Sequence, residues 1–143
     1  MRTREILSQA KKDGKYITRG WIHTKNEREL VKELWHLLDE ADYVVAHNGK
    51  SFDLKWCLTR FAFYGLKAPS PYKIVDTKLE TRRYFNLPSH KLDDIGNYFG
   101  LGRKMEHEGM MQLQAKCLSG NRAAWKRLLA YNLQDVRLLE RVY

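Results

Sequence analysis

An α/β fold, a mixed sheet with flanking helices, is what this sequence predicts, and three observations predict it. Three β-formers, Tyr43, Val44 and Val45, lead into a Gly-bearing loop at His47-Asn48-Gly49, and a helical run opens at Phe52-Asp53 and stops at Gly65. A second short strand, Lys73-Ile74-Val75-Asp76-Thr77, runs straight into another helix start. Helical periodicity then recurs to the end of the chain. Strands alternating with helices indicate a layered α/β sheet.

The bulk numbers bound the class. A chain of 143 residues is long enough for one domain with a real core, and residues 1–143 show no internal repeat or low-complexity segment that would argue for a second. Hydrophobic residues at 43% mark a globular chain, and charged residues at 30% a soluble one. No apolar run approaches a membrane span, and no long apolar region follows Met1 as in a signal peptide. Cys57 and Cys117 lie far apart in apolar helical contexts, without metal-type spacing, and are expected to be reduced core thiols of a cytoplasmic protein. A formal net charge of +9 favours a polyanionic partner, nucleic acid above all, although a soluble basic protein without such a partner would carry the same charge.

Taken in order, residues 4–23 read as a β-hairpin around Asp13-Gly14, a dipeptide suited to a tight turn, with Gln9 to Lys12 equally able to extend a short helix. Residues 27–40 are a helix, because Leu30, Val31, Leu34, Trp35, Leu37 and Leu38 share one side. Asn26 and Glu29 have capping-box spacing ahead of it, and His36 falls off the apolar stripe as a solvated imidazole. After the central strand and helix, Thr77 and Glu80 repeat the capping-box spacing, so Asp76 reads as a strand-end or cap residue ahead of a catalyst. Pro69, Pro71 and Pro88 fall between periodic segments. Residues 90–99 form a helix with Leu92, Ile95 and Phe99 inward and Gly100 as its stop. A basic Gly-containing loop follows, with Arg103 and Lys104, and its Glu106-His107-Glu108 run reads as solvated because three adjacent residues cannot converge on one ion. Residues 121–143 are helical. The predicted order is ββ-α-β-α-β-α-α-α.

Two acidic positions stand out, Asp53 in the first turn of the central helix and Asp135 in Tyr131-Asn132-Leu133-Gln134-Asp135. For Asp53 the bland reading is an acid favoured by the helix dipole, and alone it would hold even ground with a functional one. Carboxylates converging from distant helices are what Mg²⁺ or Mn²⁺ prefers, and two such ions can activate a water and stabilise the leaving oxygen of a phosphodiester. Tyr131 lies one helical turn before Asp135 on the same face, from where its hydroxyl could orient the attacking water.

His47-Asn48-Gly49-Lys50-Ser51-Phe52-Asp53 resembles the second motif of the DEDD 3′–5′ exonucleases, and Tyr131 to Asp135 resembles the third in its tyrosine version, DEDDy. These belong to the ribonuclease H-like superfamily. Val75-Asp76-Thr77 and Lys91-Leu92-Asp93-Asp94-Ile95 resemble further stretches of such proteins, so the likeness covers roughly residues 27–143. It implies a ribonuclease H-like mixed sheet and metal-dependent hydrolysis at the single-stranded 3′ end of nucleic acid, DNA ahead of RNA, with two Mg²⁺ or Mn²⁺ ions in a complete site. Carried over, Asp53 and Asp135 would be metal ligands, and Tyr131 would position the nucleophilic water. Asn48 and Phe52 would shape the cleft at the 3′ end. Lys50 and Lys104 would contact substrate, with Lys55 and Arg103 beside them.

The family's first motif, Asp-x-Glu on the first central strand, has no counterpart here. Glu27-Arg28-Glu29 has acids two apart but opens a helix. The resemblance therefore implies a domain incomplete at its N-terminal side, with low activity alone and a homodimer or a strand-supplying partner chain to complete the sheet. Two other readings compete: a nucleic-acid-binding module of the same fold that does not cut, and a structural or interaction protein with a basic face.

Overall fold

The computed structural model describes residues 8–12, 15–19, 27–103 and 109–143. β1 (Ser8–Lys12) and β2 (Lys15–Arg19) form an antiparallel hairpin whose register ends with Lys12 opposite Lys15. The hairpin reading holds, and Gln9 to Lys12 are strand, not helix. The predicted turn Asp13-Gly14, the Asn26 cap, Lys104 and the Glu106-His107-Glu108 run lie outside the described residues.

Helix α1 (Glu27–Glu40) buries Leu30, Val31 and Leu38 and leaves His36 exposed, as its periodicity predicts. β3 (Tyr43–Ala46) follows, then α2 (Asp53–Phe63), then β4 (Lys73–Asp76). β3 and β4 pair in parallel, Tyr43 opposite Lys73 through Ala46 opposite Asp76, with α2 as the crossover that parallel pairing requires. Val31 and Leu38 of α1 meet Leu54, Cys57 and Phe61 of α2 in one core cluster, with Val44 of β3 against it. Glu27 receives both Nε and Nη2 of Arg60, at 3.1 and 2.7 Å, and the Tyr64 hydroxyl at 2.6 Å, which ties the start of α1 to the end of α2. Glu27 is thus a helix-opening structural acid, as its position suggests. Cys57 and Cys117 are buried and unbridged, and burial pushes the Cys57 thiol up to about 11.

Helices α3 (Thr77–Tyr84), α4 (Leu92–Tyr98), α5 (Met110–Leu118) and α6 (Arg122–Val142) complete the chain. α5 is missing from the predicted order, because it packs around only Leu113 and Cys117 against Ala124, Trp125 and Leu128 of α6. Further along, α6 packs on α4: a side chain at Gly96 would meet the Gly102 carbonyl at 2.5 Å and Leu138 at 2.7 Å, so only glycine permits this approach. Phe99, expected inward, is instead 42% exposed, because it is the C-cap of α4 and lies past the buried turn formed by Leu92 and Ile95. Asp76 ends β4 and caps α3, as its place in the sequence suggests. Asp76, not Thr77, accepts from the Lys78 N–H, since Thr77 turns its hydroxyl back to Ala46.

The fold is α/β, with one difference in the sheet. Among the described residues the hairpin and the β3–β4 pair are separate two-stranded sheets, and the hairpin lies instead against α6.

Candidate functional site

The site is built where β3 and β4 end side by side. From Ala46 the chain turns through His47 to Phe52 before α2 begins, and this turn is held by the end of β4. The Asp76 carboxylate, buried at 4% exposure, accepts Asn48 N–H at 2.9 Å and Lys78 N–H at 3.1 Å on Oδ1, and Lys50 N–H at 3.3 Å on Oδ2. Three backbone donors on one ionised group make a strong clamp, because hydrogen bonds to charge are stronger than neutral ones.

His47 anchors the turn from its other side. Its Nε2 donates to the His90 carbonyl at 2.9 Å, since a carbonyl can only accept. The Thr77 hydroxyl lies 2.9 Å from Nδ1 and 3.2 Å from the Ala46 carbonyl, its single hydrogen divided between these two acceptors. The His90 ring in turn meets the Thr81 hydroxyl at 3.1 Å, so β3, α3 and the segment before α4 share one polar network.

Within this frame each residue of the turn has a local reason. Asn48 takes a φ of 63°, the left-handed region that asparagine tolerates better than most residues, and its Oδ1 accepts the Ser51 hydroxyl at 3.1 Å. Gly49 is buried so close to Ala46 that a Cβ would stand 2.4 Å from the alanine methyl. The same absent side chain leaves room for Asp53, whose Oδ2 lies 3.7 Å from that Cβ position.

Asp53 differs from Asp76 in every respect that matters to chemistry. Among the described residues nothing donates a hydrogen bond to its carboxylate, and the residue is exposed at the mouth of the turn. Desolvation against the turn first, and the charge of Asp76 second, push its carboxyl above the ordinary 3.8. A half-desolvated acid beside a like charge and without a donor is a place where a cation relieves strain. Lys50 and Lys55 are exposed nearby in sequence, and Phe52 is 46% exposed, so it is not the core residue it could have been.

Tyr131 and Asp135 lie one turn apart on α6, both half-buried, and Asp135 keeps Oδ1 buried without a hydrogen bond although the residue has other interactions. The start of the basic loop is tied to this part of α6, with Gln134 donating to the Arg103 carbonyl at 3.0 Å and Arg141 to the Leu101 carbonyl at 3.1 Å. α6 packs on α4, α5 and β1 and makes no comparable contact with α2. Asp76 is close enough to Asp53 for its charge to act on that carboxyl. The sequence marked Asp76 as a strand-end or cap residue and left His47 without a role; their clamp on the turn spans about 30 positions and has no local signature.

No group of three or more histidine, cysteine or acidic side chains among the described residues could hold a metal ion. An all-protein cage does not fit. A site for Mg²⁺ does, because that ion retains waters and commonly takes only one or two carboxylates, with substrate phosphate supplying the rest. Asp53, with its unbonded oxygens, is the side chain that suits it.

A family model of the RNase H superfamily matches residues 6–143. The chain is similar to a DNA polymerase of Methanocaldococcus jannaschii, 27% identical over 136 residues, which is 79% of this chain and 8% of that protein. It is similar to DNA polymerase 1 of Aeropyrum pernix, 27% identical over 128 residues, which is 79% of this chain and 13% of that protein. It thus spans about a tenth of the length of these two relatives.

Proposed function

The chain belongs to the RNase H superfamily, and on that premise we propose that it is a metal-dependent 3′–5′ exonuclease domain, or part of one, acting on single-stranded DNA ends. The observation that carries this reading is Asp53: an acid held without hydrogen-bond donors among the described residues, on a turn that a buried aspartate and a histidine clamp in place. Rigid support around a bare carboxylate is what a preorganised site needs. The similarity to parts of two DNA polymerases supports DNA over RNA.

In this reading Asp53 and Asp135 hold the metal ions, and Tyr131 orients the attacking water from one turn before Asp135. Bound there, two divalent ions would supply an activated water and stabilise the leaving oxygen. Asn48, Phe52, Lys50 and Lys104 hold the 3′ end. The Asp-x-Glu acids come from a strand that pairs beside β3 and is not among residues 1–143, and a second copy of this sequence lacks them too. β3 pairs only with β4 among the described residues, and an open strand edge favours such pairing.

The test uses a 5′-labelled single-stranded DNA in Mg²⁺ or Mn²⁺, with and without a strand peptide bearing Asp-x-Glu. Stepwise shortening from the 3′ end, weak alone and raised by the peptide, is expected. Products that do not depend on metal, or activity indifferent to Asp53→Asn and Asp135→Ala, would refute the assignment. A second reading, a module that binds nucleic acid without cutting, is favoured by one observation: the described residues contain no three-ligand metal group. Metal-independent binding with no shortening under any of these conditions would select it.

A further inference from the structure

Away from the carboxylate turn, the last turns of α3 and α4 meet and leave four aromatic rings in solvent. Tyr84 is 66% exposed, Phe85 50%, Tyr98 63% and Phe99 42%. Phe85 and Phe99 are the C-caps of the two helices, and their ring centroids stand 5.4 Å apart at 65°. Tyr98 packs edge-on against Phe99 at 5.2 Å. Exposed apolar residues scattered singly need no explanation, but rings in mutual contact on one surface usually mark a binding site.

The charge around the rings indicates what binds. Arg82 and Arg83 occupy the last turn of α3, both exposed, and the Arg83 guanidinium lies over the Tyr84 ring at 5.3 Å. The acids of these helices, Glu80, Asp93 and Asp94, sit instead in their first turns. Two helix C-termini carry partial negative charge that would repel a bare phosphate, and the two arginines offset it. Flat rings interleaved with guanidinium groups are the chemistry that grips unpaired bases and their phosphates.

Position links the patch to the turn. α3 follows directly on Asp76, which clamps the Asp53 turn, and ends at Tyr84, so the patch stands roughly 12 Å along an eight-residue helix from that clamp. Lys78 and Arg82, four residues apart, share the helix face between the two.

We propose that this aromatic-arginine patch is a stacking platform for single-stranded nucleic acid, holding unpaired bases a few nucleotides from the end presented to Asp53. The proposal rests on the nucleic-acid reading above, but on a different surface and on binding instead of cleavage.

Fluorescence anisotropy of a labelled oligothymidylate, without added metal, tests it. Tyr84→Ala with Tyr98→Ala should weaken binding by about tenfold or more while leaving the salt dependence unchanged, because a stacking contact is lost and no phosphate contact. The Tyr84→Phe and Tyr98→Phe pair should bind as the wild type does. Arg82→Gln with Arg83→Gln should lower the slope of log K against log salt by about 1.4, the value for two phosphate contacts on a single strand. Wild-type affinity in the alanine pair would overturn the proposal while leaving any metal-dependent cleavage untouched. A wild type that self-associates through the patch, with the alanine pair monomeric by sedimentation and unchanged in DNA binding, would assign the patch to a second copy instead. Loss of stacking in a protein that never cleaves would sink the exonuclease reading alone, and a wild type that binds no single strand would sink both.

Discussion

β3 and β4 run parallel, and each passes into a helix through an aspartate, Asp53 at the start of α2 and Asp76 just before α3. The sequence separates the two only by their settings, Asp76 as a strand-end or cap residue and Asp53 as a candidate metal ligand in the first turn of a helix. In the folded protein Asp76 is buried under three N–H donors, whereas Asp53 is exposed, receives no donor among the described residues and is pushed toward its neutral form. An aspartate saturated by backbone donors is a structural element. One left bare beside it is chemically available. The contrast also explains their proximity, since the clamp that Asp76 makes is what fixes the turn carrying Asp53.

The sharpest break of that comparison is on activity. Asp53→Asn should lower metal-dependent hydrolysis, measured with the Asp-x-Glu strand supplied, by more than about 100-fold, the upper range for groups that only support a metal ligand. Its thermal midpoint should not fall, because no hydrogen bond is lost. Parallel loss of stability would make Asp53 a structural residue after all.

Asp76→Ala should behave in the opposite way. Three N–H donors lose a charged acceptor in a buried position, which is expected to cost about 3 kcal/mol and to lower the midpoint by roughly 6–12 °C in a domain of this size. Urea titration reads the same loss, and an unchanged midpoint would remove the clamp from the argument.

Gly49→Ala comes next. The added methyl would stand 2.4 Å from that of Ala46, an overpacking expected to cost about 1–3 kcal/mol and to displace Asp53 with it. Full stability in this variant would mean that the turn yields more easily than its bonding suggests.

The smallest effect is a pH dependence. The Asp53 carboxyl is raised in the fold, so between 3.8 and its higher native value the folded state binds more protons than the unfolded one. Its contribution is present below pH 3.8 and is lost as pH rises through the native value. Asp53→Asn should flatten that decline, and Mg²⁺ at neutral pH should raise the melting temperature of the wild type but not of the variant. Identical pH profiles would show that neither burial nor the Asp76 charge raises the Asp53 carboxyl.

How much was legible follows from the range over which each feature is decided. By itself the sequence determined the α/β class, the hairpin, the two short strands with a helix between them, the exposed His36 and the two buried thiols. Each of these is set by periodicity and turn chemistry among neighbours in the chain. Tertiary structure alone decided that Asp76 clamps Asn48 and Lys50 from 28 and 26 positions away, that His47 reaches the His90 carbonyl 43 positions on, and that α5 folds against α6. It also decided that Phe85 and Phe99 meet in solvent, where the same 3.6-residue pattern had turned Phe99 inward. Local pattern reports which side of an element is apolar. Which donors reach a carboxylate, and which rings the core leaves uncovered, depend on where distant segments come to rest.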